Sequence, residues 1–204
     1  MLRIAGGRVY DPSNGVDGVV QDVCIDGGVI VADVPSHARR IDARGMIVMP
    51  GGVDVHAHIA GPKINAARRL LPDEHRADPS PRDARRRSGS GGTVPTTFVT
   101  GYRYSLLGYT TVVDAAVPPL AARHVLAELR DTPLIDPLFL ILLGDNQVIY
   151  ELIRRAGGRS SQELRDAIGW WLASSGGYGI KLVNPGGTER WKSGNGRASM
   201  SWHS

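Results

Sequence analysis

The sequence predicts an α/β protein in which a small β-rich segment precedes strands that alternate with helices. Residues 1–46 contain short β-type runs separated by turn sequences such as Asp11-Pro12-Ser13-Asn14-Gly15. From Ile47 onward, apolar strands alternate with longer helical stretches, which is typical of parallel βαβ units. We therefore expect a small β-sheet over 1–46, an α/β domain over 47–190 and an irregular tail over 191–204.

Four strands of the α/β domain are predicted from short, nearly continuous apolar runs. Such runs are typical of parallel strands that are buried on both faces. The predicted strands cover residues 47–49, 110–114, 138–143 and 179–183.

Three helices are predicted between these strands, at about 119–131, 146–156 and 161–173. Proline at the start of the first helix suits an opening turn, and Ser160 with Glu163 fits a capping box before the last. A (β/α)8 TIM-type barrel needs eight such units and about 250 residues. Four units therefore predict a partial barrel, preceded by the small β-rich domain.

The motif with the clearest chemical meaning is Asp54-Val55-His56-Ala57-His58, which follows two glycines. In a strand, residues i and i+2 point to the same side, so His56 and His58 would project together while Ala57 faces away. Neutral imidazole is a common metal ligand. The motif predicts half of a metal site, and the alternative is an exposed pair of histidines near a strand end.

Lys181 lies inside the last predicted apolar strand. A charged lysine is costly to bury, and a neutral lysine amine can react with carbon dioxide to give a carboxylate-like carbamate. Such a group can bridge two divalent cations in a hydrolytic site. The alternative is a lysine whose amine reaches solvent from the strand end.

The cationic residues are almost all arginine, since only three of the 24 are lysines. The arginines between 82 and 87 lie in a Gly/Ser/Pro-rich stretch, which favours a solvated loop, or else a site that attracts an acidic substrate. No aromatic residues are interleaved with them, so nucleic acid is not an expected partner. Neither a signal-type segment nor a membrane-length apolar run is present, and we expect a cytoplasmic protein with Cys24 as a small buried residue.

Three longer segments carry a family resemblance. They are Asp54–Asn65, which includes Ala60-Gly61-Pro62-Lys63; the stretch 100–112; and 177–189, which includes Val183-Asn184-Pro185-Gly186-Gly187. The His56-Ala57-His58 motif, Lys181 and the small β-rich segment before them resemble the amidohydrolase superfamily. Within it, the three segments are similar to the A subunits of formylmethanofuran dehydrogenase and of the bacterial formyltransferase/hydrolase complex, and differ from dihydroorotases and hydantoinases.

The resemblance implies a centre of two divalent metals, with zinc expected. His56 and His58 would bind one metal, and Lys181, as a carboxylated lysine, would bridge both. A metal-activated water would release formate and methanofuran from formylmethanofuran in one-carbon metabolism, or the reaction would run in reverse as a condensation. Lys63, Asn65 and Asn184 follow the predicted ligand strands, where function collects in barrel enzymes, so we expect them to face the substrate; the alternative is an ordinary loop. Asp114 would cap the next turn or orient a ligand histidine.

The family pattern also needs two further histidines and a proton-shuttle aspartate from later strands, so no catalytic residue is assigned within this chain. His37, His75, His124 and His203 are not assigned to the metal. We expect other subunits of a formyltransferase/hydrolase or formylmethanofuran dehydrogenase complex as partners. Two alternatives stay open: a non-catalytic fragment or structural piece of such a complex, and a cyclic amidohydrolase of the dihydroorotase or hydantoinase kind.

Overall fold

The computed structural model describes residues 1–80, 83–85, 89–144 and 146–183, so the predicted tail over 191–204 lies outside the described residues. The chain divides into two compact units, Met1–Gly51 and Gly52–Ser204. Among the described residues, no helix is both long and apolar enough to cross a bilayer.

The first unit is a five-stranded sheet in the order β3-β2-β1-β4, with β5 also pairing with β1. β1 and β2 form an antiparallel hairpin whose turn ends at Gly15, in the left-handed conformation that glycine adopts easily. Cys24 is buried in this unit, as predicted. The strands are β1 Leu2–Asp11, β2 Val16–Asp26, β3 Val29–Val31, β4 Arg39–Asp42 and β5 Ile47–Val48.

The strand predicted at 47–49 to open the barrel belongs to the first unit instead. Ile47 and Val48 pair in parallel with Arg8 and Val9 of β1. The parallel sheet of the second unit begins with β6, Gly52–Ala57, whose apolar run is interrupted by polar side chains. A short apolar run indicates a strand but not the sheet that it joins, which explains the error.

The second unit contains a four-stranded parallel sheet in the order β11-β10-β9-β6 and a β7-β8 hairpin. The predicted strands at 110–114, 138–143 and 179–183 correspond to β9, β10 and β11. The strands are β7 His75–Asp78, β8 Gly92–Pro95, β9 Tyr109–Val117, β10 Asp136–Leu142 and β11 Gly179–Lys181. The helices are α1 Pro62–Arg68, α2 Phe98–Leu106, α3 Ala122–Arg130, α4 Gln147–Arg155 and α5 Gln162–Ser175.

The parallel sheet is open within the described residues, with β6 and β11 at its two edges. The α/β class is therefore confirmed, whereas the described strands form an open sheet that does not by itself establish the predicted partial barrel. The predicted capping box is also wrong by one residue, because Ser161 is the N-cap of α5 and its hydroxyl accepts a hydrogen bond from the amide of Leu164. Helices α3, α4 and α5 correspond to the three predicted helices, while α1, α2 and the hairpin were not predicted.

The core of the second unit lies between the central strands and the helices that cover them. Phe139 and Ile141 of β10 and Val112 of β9 are almost fully buried there, together with Val125 of α3. α2 approaches the chain before β10 so closely that a Cβ added at Gly101 would lie 2.0 Å from the carbonyl oxygen of Pro133. β6 pairs with β9 beside this core, which fixes the position of its carboxyl end.

Candidate metal centre

The two histidines of the predicted metal motif lie together at the end of β6. Ala57 is 7% exposed and belongs to the core, whereas His56 and His58 on either side of it are exposed. Their ring centroids are 5.6 Å apart and their planes make an angle of 85°. The strand end therefore presents two exposed imidazoles close together.

β6 carries a bulge beside this pair. Asp54 pairs with Val112 and Ala57 with Asp114, so three steps along β6 lie opposite two steps along β9. Bulges leave one residue unpaired and change the direction of nearby side chains. Here Asp54 Oδ1 accepts a hydrogen bond of 3.0 Å from the backbone N–H of His56.

Tyr104 of α2 holds the other oxygen of this carboxylate. Its hydroxyl donates to Asp54 Oδ2 at 3.0 Å, and its ring makes an edge contact with Tyr109 at 5.6 Å between centroids. Burial, followed by the hydrogen bond to Asp54, raises the pKa of Tyr104 to about 12. The phenol is therefore a stable donor at neutral pH.

Asp114 lies beneath the second histidine. It is 2% exposed, and its Oδ2 accepts hydrogen bonds from the backbone amides of Ile59 at 2.9 Å and Ala60 at 3.0 Å. Its Oδ1 is 3.7 Å from Nδ1 of His58. The carboxylate thus caps the turn after β6, as one of its two predicted roles requires, and its other oxygen lies near His58.

Lys181 is half-buried at the end of β11, where it pairs with Leu142 and its carbonyl accepts from the amide of Leu143. β9 and β10 lie between β11 and the histidine strand. At about 4.8 Å per strand, the two edges are roughly 14 Å apart along the sheet. No hydrogen bond or ion pair joins Lys181 to His56 or His58 in the described part of the chain.

The donor set fits part of a metal centre. Two exposed imidazoles and a buried carboxylate behind one of them match the ligand and supporting groups that zinc-type cations prefer. Within the ranges that the structure describes, however, no three His, Cys, Asp or Glu side chains gather at one point. A complete centre therefore needs ligands beyond those gathered in the described residues.

The predicted substrate residues have different surroundings. Asn65 is held internally, because its amide donates to Glu128 Oε1 at 2.6 Å and its carbonyl oxygen accepts from Arg68 at 3.2 Å. Lys63 is exposed on α1. Asn184 lies outside the described residues. The substrate roles of all three stay predictions.

A buried ionic network under the loop after β6 was not predicted. Arg68 is 3% exposed and donates to Glu74 Oε2 at 2.9 Å, to the carbonyl of Ile59 at 2.6 Å and to the hydroxyl of Thr100 at 2.9 Å. Glu128 of α3 also accepts a hydrogen bond of 2.8 Å from the amide of Gly61. The sequence carries no signal that separates this arginine from the other arginines.

Two of the unassigned histidines, His75 and His124, have local partners. His124 Nε2 lies 2.8 Å from Glu128 Oε1, one helical turn away. His75 makes contacts of 3.0 Å with the hydroxyl of Thr93 and 2.8 Å with the carbonyl of Arg68. Both rings therefore contribute to packing around the loop.

Comparison with known proteins identifies the family of this chain. The model of the amidohydrolase family matches residues 39–202. The chain belongs to the amidohydrolase family. Protein FwdA of Methanocaldococcus jannaschii is 43% identical over 188 residues, which is 92% of this chain and 32% of that protein.

A second relative of this amidohydrolase has a solved structure. The A subunit of the formyltransferase/hydrolase complex Fhc of Methylorubrum extorquens is 40% identical over 199 residues, covering 95% of this chain and 34% of the relative. The crystal structure of that complex with methylofuran superposes with a TM-score of 0.75 at 39% identity over 95% of this chain. The chain thus spans about a third of the length of these relatives.

Proposed function

We propose that this chain carries the first metal ligands of an enzyme that hydrolyses formylmethanofuran to formate and methanofuran. The observation that carries the proposal is the paired exposure of His56 and His58 above the buried carboxylate of Asp114, in a chain of the amidohydrolase family. The similarity to the A subunit of Fhc over almost the whole chain favours a formyl amide over a cyclic amide as the substrate.

The proposal assigns a role to each predicted metal ligand of the chain. His56 and His58 would hold one metal, and Lys181, as a carboxylated lysine, would help to hold the second. Two divalent cations, zinc in the first instance, supply Lewis acidity and an activated water when bound. Water adds to the formyl carbon, the C–N bond breaks, and the amine of methanofuran leaves with a proton; the reverse condensation uses the same groups.

Asp114 keeps the ligand pair ready for this chemistry. Its carboxylate faces His58 Nδ1 and favours the tautomer with the proton on that nitrogen, which leaves Nε2 unprotonated towards the metal. Lys63, Asn65 and Asn184 lie in segments that follow ligand-bearing strands, where barrel enzymes bind substrate. The partners we propose are the other subunits of a formyltransferase/hydrolase or formylmethanofuran dehydrogenase complex.

A second candidate function is favoured by the absence of a third gathered ligand among the described residues. In that case the chain is a non-catalytic piece of the same complex and contributes structure only. The two candidates differ in metal stoichiometry, because a site completed by all its ligands binds two metals and a bare histidine pair binds one loosely.

The test measures zinc per chain together with formate release from a formylated methanofuran analogue. Wild type is compared with Lys181→Ala and His56→Ala, and His37→Ala is the matched control because His37 is a histidine of the first unit, outside the metal motif. Two metals and turnover that both variants abolish support the enzyme. Zero or one loosely bound metal without turnover rejects it in favour of the structural piece.

A further inference from the structure

We infer that Tyr104 and Asp54 act as positioning residues that fix the direction of His56 through the bulge in β6. The inference rests on the proposed function, since it assigns these residues to the geometry of a metal ligand. Neither residue touches the reacting atoms. They act through the backbone amide of His56 and the conformation of the strand around it.

The bulge creates a backbone group that the sheet leaves without a regular partner. Between Asp54 and Ala57, β6 has one residue more than the facing stretch of β9. The amide of His56 lies in this stretch and donates to the carboxylate of Asp54, two residues before it. The side chain therefore replaces the ladder hydrogen bond that the bulge removes.

Asp54 is held in turn from outside the strand. Tyr104 belongs to α2, packs against the core and donates its hydroxyl to Asp54 Oδ2. Both carboxylate oxygens thus have a donor, one from the bulge and one from a helix. The chain of contacts transmits the position of α2 to the backbone of a ligand histidine.

The same arrangement distinguishes Tyr104 from its neighbour Tyr109. The two rings are in edge contact, and Tyr109 packs against Gly52 at the start of β6. The hydroxyl of Tyr109 makes no hydrogen bond within the described residues. Tyr104→Phe and Tyr109→Phe therefore remove the same atom from adjacent rings, and only the first removes the support of Asp54.

The experiment uses the full chain and two readouts. Hydrogen exchange at the amide of His56, measured by NMR without metal, reports the hydrogen bond from this amide to Asp54. Zinc affinity, measured by calorimetry, reports the effect of this hydrogen bond on metal binding by His56. We expect Tyr104→Phe to raise the exchange rate of this amide about tenfold and to weaken zinc binding by about tenfold or more, while Tyr109→Phe changes neither.

Variants at Asp54 give a second, graded comparison. Asp54→Asn retains an oxygen that accepts from His56, so its exchange rate should stay within about threefold of wild type. Asp54→Ala removes the acceptor, and its exchange should rise at least as much as in Tyr104→Phe. Recovery by asparagine separates loss of the acceptor from loss of the fold.

The outcomes separate the inference from the proposed function. Unchanged exchange at His56 in Tyr104→Phe, or an equal rise in Tyr109→Phe, overturns the inference. Faster exchange with unchanged zinc affinity overturns the inference as well, because the hydrogen bond to Asp54 then does not position His56. If wild type binds no zinc, the proposed function fails. Exchange at the His56 amide alone then decides whether Asp54 and Tyr104 stabilise the bulge.

Discussion

Replacing Asp114 by alanine should destabilise the chain strongly. The substitution removes the acceptor of two buried amides, those of Ile59 and Ala60, whose residues are 4% and 8% exposed. A hydrogen bond to a charged group contributes about 1.5–3 kcal/mol, so two such bonds give about 3–6 kcal/mol. Domains of this size have a free energy of unfolding of about 5–15 kcal/mol. Asp114→Ala therefore loses a large part of it.

Asparagine at the same position should separate stability from metal binding. Its oxygen can accept from the two amides, which retains most of the stability. Its amide nitrogen then replaces the oxygen that lies 3.7 Å from Nδ1 of His58, and the negative charge that favours a proton on Nδ1 is lost. The tautomer that leaves Nε2 unprotonated for the metal is then no longer favoured. We expect zinc affinity to fall by about 10–100-fold.

The assay pairs urea unfolding with zinc calorimetry on wild type, Asp114→Ala, Asp114→Asn and a control. Asp131→Asn is the control, because the Asp131 side chain is 56% exposed and its ion pair with Arg76 is long, at 3.8 Å. Two results contradict the reasoning. If Asp114→Ala unfolds at the same urea concentration as wild type, the hydrogen bonds to Ile59 and Ala60 do not stabilise the chain. If Asp114→Asn binds zinc as tightly as wild type, Asp114 does not orient His58.

Three further substitutions or titrations test other parts of the fold. Gly101→Ala should lower the urea midpoint sharply, since its Cβ would lie 2.0 Å from the oxygen of Pro133; an unchanged midpoint contradicts the close approach. Arg68→Met should cost about 3–5 kcal/mol in urea unfolding, because it removes the buried cationic partner of Glu74, and a loss below about 1 kcal/mol denies the network. In an ultraviolet pH titration, Tyr104 should ionise near pH 12, and ionisation near pH 10 contradicts its burial. Because its folded-state pKa is above the ordinary 10.0, its contribution to stability is full below about pH 10 and is lost as the pH rises through about 12.

The exposure of His56 and His58 on either side of a buried residue could be predicted from the sequence, because strand alternation is a local property. The apolar runs likewise locate β9, β10 and β11. The bulge at His56 could not be predicted, because the register between β6 and β9 depends on packing across the sheet. Arg68 could not be predicted either, because its burial depends on acceptors 6 to 32 residues away.

The distance between the histidines and Lys181 depends on still more distant residues. Each strand position follows from a local apolar run, but the approach of β6 to β11 depends on how far the sheet curls. Curling is set by the strands that pair with the two edges and by the helices that pack on them. A sequence motif can therefore predict Lys181 as a ligand although, in the described residues, β9 and β10 separate it from His56 and His58.

The segment around His56 and His58 is nevertheless fixed by carboxylates of this chain. Three carboxylates accept hydrogen bonds from backbone amides of this segment. Asp54 accepts from His56, Asp114 from Ile59 and Ala60, and Glu128 from Gly61. These carboxylates belong to β6, β9 and α3, three separate elements of one unit. A binding site reaches its affinity when ligands are ordered before the metal arrives, because less conformational entropy is then lost on binding. The backbone around His56 and His58 is thus ordered by side chains of the described residues themselves.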